Sequence, residues 1–241
     1  MSNFFVLING EIQRMKKYNI LTASIFVSLI WIGILHFIDV EDVTNIIPLL
    51  IFMDATSMAM LLVGVTFIYE KQEGTIRTLL VSPISKTEYI LAKNFSNIIF
   101  NIFALVIMYG YSKLFKEVNL NFFAILGAVI LVSFFHSMVG FLLTYFSKDF
   151  TDLLMGMMKY VFIFMTPVLL EEFNIITNNI FKKVLYIIPT KASLTLLKGA
   201  TGGYETWKIW ISILYIIFGT IILFYIVWKK FDEYAMKEGR D

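Results

Sequence analysis

Six long apolar stretches run through this chain, at about 20–38, 46–69, 95–112, 121–146, 153–170 and 207–228. A helix needs roughly 20 apolar residues to cross a hydrocarbon core of about 30 Å, and each stretch is near that length. Of all residues 59% are apolar and 16% charged, with a mean hydropathy of +0.78. A soluble domain runs nearer about half and about a quarter, so the apolar excess here faces lipid. Six such helices and short connections use up most of the 241 residues and leave no room for a separate soluble catalytic domain. The expected fold is all-α, a polytopic membrane protein with about six transmembrane helices. No internal repeat or low-complexity linker divides it, so residues 1–241 form one transmembrane domain.

Residues 1–19 mix Phe4, Phe5, Leu7 and Ile8 with Glu11, Arg14, Lys16 and Lys17. That pattern predicts a helix lying in the membrane surface, its basic side toward anionic headgroups. The first span is too long for a signal-peptide core and no small-residue cleavage site follows it, so it is expected to be retained. With the N-terminus inside, segments 1–19, 70–94, 147–152 and 229–241 carry 12 of the 20 Lys and Arg, and the opposite side carries 7. This excess puts both termini in the cytoplasm, and the acidic first loop (Asp39, Glu41, Asp42) fits the outside. Tyr204, Trp207 and Trp210 at one end of the last span, and Tyr225 and Trp228 at the other, read as interfacial anchors.

Two connections are long enough to be structures. In the cytoplasmic loop over 70–94, Gly74 interrupts the helix leaving the second span and Thr75 starts a short helix through Val81. Pro83 forces a turn. Ser85 and Glu88 then match a capping box that opens a helix running into the third span. The external loop over 171–206 holds apolar pieces too short to span (Val184–Ile188, Leu194–Leu197), broken by Pro189, Gly199, Gly202 and Gly203. Short helices on, or dipping into, the outer leaflet are expected there.

The stretch Glu70-Lys71-Gln72-Glu73-Gly74-Thr75-Ile76-Arg77-Thr78-Leu79-Leu80-Val81-Ser82-Pro83-Ile84-Ser85, ending near Lys93, resembles the signature loop of type 2 ABC (ATP-binding cassette) permeases. The six spans, the surface helix before them and the broken external loop extend the resemblance to nearly the whole chain. It implies that this loop is a coupling helix docking in a separate ATPase subunit, with Glu70, Glu73, Gly74, Thr75, Leu79, Leu80 and Pro83 as its residues. It further implies two ATPase subunits holding ATP and Mg, and a second permease chain that is identical in the simpler case. The setting would be a bacterial plasma membrane. The chain itself has no Gly-x-x-x-x-Gly-Lys-Ser/Thr to cradle phosphates, so no cofactor is expected on it. Relatives of this kind handle hydrophobic drugs, bacteriocin-like peptides and cytolytic peptides such as phenol-soluble modulins. The resemblance favours an amphipathic peptide here, with hydrophobic drugs or lipids as the alternative.

Within the spans, Asp54 and Lys159 are charges at membrane depth, each costing at least about 2.5–3.5 kcal/mol without a partner or water. At 1.5 Å per residue they lie roughly 12 and 16 Å from the outer ends of their spans, close enough to pair within or between chains. Lys159 also has the option of snorkelling alone. Family architecture puts these two spans beside the translocation path, and Met155, Met158 and Phe162 share a face of the fifth. That face suits either varied apolar ligands or plain lipid and core contact. Ser133, Ser137, Gly140 and Thr144 form a small, polar stripe that predicts close helix packing. Cysteine is absent, which excludes thiolate chemistry and disulfides, and two lone histidines make no metal site. A net charge of +2 gives no footing for nucleic acid. An intramembrane protease built on Glu171 and Glu172 lacks matching histidine motifs, and a channel or scaffold without an ATPase leaves the loop over 70–94 unexplained.

Overall fold

Helix boundaries fall where capping and breaking residues put them. The computed structural model describes residues 3–80 and 82–237. Helix α1 (Asn3–Lys17) passes to α2 (Ile20–Phe37) through Asn19, which takes the left-handed conformation at φ 57°. Helix α3 (Ile46–Gln72) stops before Gly74, whose φ of 70° is open to glycine at little cost, and α4 (Thr75–Leu80) leaves in a new direction. Ser85 caps α5 (Lys86–Phe115) with the expected reciprocal box. Its hydroxyl accepts from the Glu88 amide at 3.2 Å, and the Glu88 carboxylate accepts from the Ser85 amide at 2.9 Å. Asn121 and Asp149 cap α6 (Phe122–Phe146) and α7 (Phe150–Tyr160) through their side-chain oxygens.

The fifth span is one continuous rod with a widened turn. Between α7 and α8 (Thr166–Glu172) lies a π-helical segment, Val161–Met165. Pro167 lacks an amide proton and its ring crowds the carbonyl four residues back, so the preceding turn opens. The Phe164 carbonyl accepts from the Thr190 hydroxyl, and Thr166 bonds the Val161 carbonyl at 3.2 Å. Helices α9 (Asn179–Leu185), α10 (Pro189–Gly199) and α11 (Thr206–Lys237) complete the chain. Among the described residues six helical segments are long and apolar enough to cross a membrane: α2, α3, α5, α6, the α7–α8 rod and α11.

The spans are not equivalent. In α3, α5 and α6, 67%, 56% and 56% of the most apolar stretch is buried by protein, against 17%, 22% and 11% for α2, the α7–α8 rod and α11. The first three are an inner trio and the others stand around it. Asn97 on α5 ties the trio together, donating to the Ala59 carbonyl of α3 at 2.8 Å and to the Ser137 hydroxyl of α6. The Ser133–Thr144 stripe packs as expected, and all four of its residues are buried or lie in the α6–α3 seam. At one end of the bundle the α2–α3 and α5–α6 loops are zipped. Val43 donates to the Glu117 carbonyl at 3.0 Å, Glu117 to Glu41 at 2.9 Å, and the Lys116 ammonium to Ile38 at 2.9 Å.

Three regions gain protein partners that the sequence did not reveal. Of the short helices expected before the last span, α10 packs back on the bundle against α3, α6 and α11, with Leu194 and Leu197 sealed inside. Glu171 and Glu172 pair with Lys191 and Lys198 of α10. Trp228, read as an interfacial anchor, is also held by protein. Its indole donates to the Thr87 hydroxyl at 3.2 Å, and the Lys86 ammonium sits 3.7 Å over its ring.

Where α6 crosses α3, a Cβ added at Gly140 would lie 2.7 Å from the Met60 carbonyl oxygen. Gly140→Val should therefore push the two backbones apart and cost about 1–3 kcal/mol. Gly127, on the same helix, has nothing within 4 Å of the place a methyl would occupy, so Gly127→Ala serves as the neutral control. Thermal unfolding in detergent distinguishes them; equal melting temperatures would show that the α3–α6 contact is not tight.

Candidate functional site

A set of buried charges gathers where α1, α3 and α5 meet. Lys93 of α5 reaches Glu11 of α1 at 2.8 Å, Glu70 of α3 at 2.9 Å and the Thr66 hydroxyl at 3.2 Å. Arg14 pairs with Glu11 at 2.8 Å and with Glu70, and the Tyr89 hydroxyl also donates to Glu70. Lys93 and Glu70 are each 1% exposed and Glu11 is 4% exposed. Two carboxylates and two cations balance, which is the condition for charges to persist away from water. Burial pushes the Glu11 carboxyl up, but the Lys93 ammonium and Arg14 guanidinium outweigh it and hold it below its ordinary 4.5.

Helix α4 hangs from this junction. It is separated from the end of α3 by the Gly74 turn, and its Ile76 is buried among Val63, Phe67, Tyr89 and Ile90 and against Phe231 and Tyr234 of α11. Glu73, on the exposed side, pairs with Lys17 of α1 at 2.9 Å. Lys86 at the head of α5 bonds Asp232 of α11 at 2.7 Å. Helix α4 thus packs on α3, α5 and α11 through Ile76, and the flanking Glu73 and Lys86 tie the same loop to α1 and α11. Of the residues expected here, Glu70 is inside the charge set, while Glu73 and Pro83 are exposed and Gly74 and Thr75 partly so. Leu79 and Leu80 lie on the α4 backbone, with side chains outside the described set, and Val81 falls outside it altogether.

Sequence reasoning placed Glu11 and Arg14 toward headgroups and left Lys93 as the end of a loop. The structure corrects both. The missed signal was register: Tyr89, Lys93 and Asn97 recur every four residues and mark one polar face of α5. Arg14 stands three residues from Glu11 on α1, within reach along one helix face.

The expected Asp54–Lys159 pair does not form within the chain. Asp54 is buried toward α2 and accepts from the Trp31 indole at 2.9 Å. The α7 helix meets α3 elsewhere, through Leu153 against Gly64. Lys159 turns outward with Met155, Met158 and Phe162, and no described residue pairs with it. His136 bonds the Val132 carbonyl at 2.9 Å and faces the Tyr160 hydroxyl at 3.3 Å, the ordinary satisfaction of a buried imidazole. Among the described residues no group of His, Asp and Glu is placed to hold a metal ion.

Six apolar spans make this a multi-pass membrane protein, and its sequence matches identify the class as an ABC-2 type exporter permease. Sequence comparison makes the assignment specific. The profile of the fluoroquinolones export permease protein family matches residues 2–239, and the chain belongs to that family. Two fluoroquinolones export permease proteins of Mycobacterium tuberculosis, from strains CDC 1551 / Oshkosh and ATCC 25618 / H37Rv, are each 23% identical to it over 207 residues. The matched region spans 85% of this chain and 84% of each relative.

The charge set yields a stability test. Lys93→Met leaves an excess carboxylate buried and should cost about 3–5 kcal/mol, while adding Glu70→Gln restores neutrality and should recover much of the loss. Strict additivity of the two changes in detergent melts would mean that the groups do not interact. Because the folded Glu11 carboxyl is depressed, its stabilising contribution is complete above pH 4.5 and disappears as pH falls through the folded value. Glu11→Gln should flatten that acid-side decline in melting temperature.

Proposed function

We propose that this chain is the membrane half of an ATP-driven exporter for amphipathic, aromatic drugs, with a separate ATPase subunit supplying hydrolysis of Mg-bound ATP. The observation that carries the reading is α4. It is a short helix set off by Gly74, rooted through Ile76 in an apolar cluster shared with α3, α5 and α11. Such a lever is superfluous in a passive scaffold and useful where a second protein drives the spans. Two permease chains and two ATPase subunits are the proposed assembly, with α4, both termini and α1 on the cytoplasmic side and the entire chain acting as one permease domain. Glu73, Thr75, Leu79, Leu80 and Pro83 are the proposed docking residues.

The substrate reading changes from the sequence expectation. Nothing in the family description supports an amphipathic peptide, and both curated relatives are named for export of fluoroquinolones, which favours the drug alternative. Co-purifying the chain with its ATPase in liposomes and measuring drug-stimulated ATP hydrolysis tests the reading directly. Absence of a bound ATPase, or stimulation by amphipathic peptides and by no drug, would overturn it.

Gly74 gives the sharpest variant. Its φ of 70° costs a residue with a Cβ about 1–2 kcal/mol, while the space around it is open. Gly74→Val should therefore re-aim α4 rather than unfold the bundle, abolishing drug-stimulated hydrolysis with little change in melting temperature. Gly74→Asn, which tolerates the left-handed region, should keep most of the stimulation. Full stimulation in Gly74→Val would remove α4 from the transmission route.

A further inference from the structure

We propose that the groove between α6, the α7–α8 rod and α11 is a binding site for an anionic phospholipid, whose acyl chain fills the groove and whose phosphate meets Lys148, Lys229 and Lys230. The site goes beyond the exporter reading and does not depend on what is exported. The groove holds about 800 Å³ and is walled by three spans. Phe135 and Leu142 come from α6, Tyr160 and Phe164 from the rod, and Phe218 and Ile222 from α11. Pro189, at the start of α10, also lines it. It is held there by its neighbours: Thr190 donates to the Phe164 carbonyl, and the Tyr215 hydroxyl donates to Ile187. From that point α10 runs toward the start of α6, where the Asn121 amide donates to Ala200 at 2.9 Å. Helix α10 thus occupies the gap between the rod and α11 in one half of the bundle, and the groove continues that gap toward Lys148 and Lys230.

The lining and its far end together name the occupant. None of the described lining residues is charged, and both lining hydroxyls are engaged, Tyr160 with His136 at 3.3 Å and Tyr215 with Ile187 at 2.6 Å. Water needs several polar partners and finds none free there. An empty space of that size forfeits the dispersion contacts of its walls, and the solvent at this depth is hydrocarbon. The apolar stripes then run on into cations. On α6 the line through Phe135, Val139 and Leu142 continues at Phe146, and the Lys230 ammonium sits 4.6 Å over that ring. On α11 the face of Ile222 returns after two turns at Lys229, and Lys148 follows Phe146 in the α6–α7 turn. Nearby acids are engaged elsewhere: Asp232 with Lys86 at 2.7 Å, Asp149 with the Asp152 amide at 2.8 Å, and Asp152 with the Lys148 amide at 3.2 Å. No described carboxylate pairs with the three ammonium groups. At 1.5 Å per residue Phe218 stands about 16 Å from Lys229, close to one leaflet's half of a hydrocarbon core of about 30 Å. A chain whose phosphate rests at the lysines therefore lies in the groove. Basic clusters beside gaps between spans are the usual chemistry of anionic-lipid sites. A second copy docked here about a two-fold axis would bring two such lysine sets together, and a neutral aromatic molecule leaves them unused.

The test uses the full-length chain. It is titrated in detergent with phosphatidylglycerol or phosphatidylcholine by native mass spectrometry. In vesicles it is labelled with a phosphatidylglycerol that carries a photoreactive diazirine midway along one chain. The wild type should bind phosphatidylglycerol about tenfold more tightly than phosphatidylcholine, equivalent to about 1.4 kcal/mol. The label should concentrate on residues 135–143 and 211–223. Lys148→Gln with Lys229→Gln, both at exposed positions, should erase the headgroup preference. Ile222→Trp, which fills the groove from an exposed position, should exclude the label. Equal affinity for the two lipids in the wild type, or a preference that survives loss of the lysines, overturns the proposal. So does a groove still labelled in Ile222→Trp, or label spread evenly over all six spans as ordinary surrounding lipid would leave it. Glycerol 3-phosphate, which has the phosphate and no chain, should leave the label in place; if it removes the label, the acyl-chain assignment falls. Displacement by pyrene with no headgroup preference gives the groove to a small aromatic molecule, and a dimer whose groove takes no label gives it to a second copy; either overturns the proposal. Drug-stimulated hydrolysis is measured separately, so the exporter reading stands or falls on its own.

Discussion

Charges taken out of water survive only as a balanced set, and that requirement organises the α4 end of this bundle. Glu11, Arg14, Glu70 and Lys93 come from three helices, and none could be buried without the others. Their net contribution to stability is small, because desolvation offsets most of the attraction. What the set supplies is geometry. It fixes α1 against the end of α3 and the first turns of α5, beside the place where Gly74 redirects the chain. Apolar packing alone is tolerant of sliding; a four-membered charge set is not, since moving one helix leaves the remaining charges unpaired.

What could be read from sequence was whatever depends on local chemistry. Span positions follow from hydropathy, the break at Gly74 from its freedom in φ, and the Ser85–Glu88 box from spacing along one chain. The stripe from Ser133 to Thr144 announced a close helix crossing because small residues at helical spacing have few other uses. What escaped was pairing between distant segments. Asp54 had one attractive ionic partner on paper, yet a neutral indole on the adjacent helix satisfies it. Glu171 and Glu172 end the fifth span, and only the fold-back of α10 brings Lys191 and Lys198 to them. The partners of α10 were hidden for a related reason. Its apolar piece is too short to span, and shortness alone does not say whether protein or lipid covers it. In the structure it is protein.

The distribution of burial then says which parts can move. The inner trio α3, α5 and α6 is locked near its middle by the Asn97 bonds and by backbone contact at Gly140, so it behaves as one body. The most apolar stretches of the α7–α8 rod and α11 are mostly bare of protein neighbours, and α11 rests on α6 where Gly219 meets Phe135. The rod is tied to α10 through Glu171 and Glu172, and α11 to the α4–α5 region through Asp232, Phe231 and Tyr234. Helix α4 packs on α3 and on α11, so the trio and that end of α11 share one contact region. The rod that carries Lys159 stays tethered to α10 at its far end.

The π turn between α7 and α8 fits that division. Pro167 donates no amide hydrogen bond, the turn before it is widened, and there the Thr190 and Thr166 hydroxyls donate to the Phe164 and Val161 carbonyls. One of those hydroxyls belongs to α10, so the position of α10 sets whether the widened turn is satisfied. Helix α10 in turn packs on α3 and α6, the body that α4 would drive. The route from α4 to the outward face of the fifth span therefore runs through the inner trio and α10 to the turn just beyond Lys159. A shorter connection to the same span exists through α3 itself, where Gly64 meets Leu153 of α7.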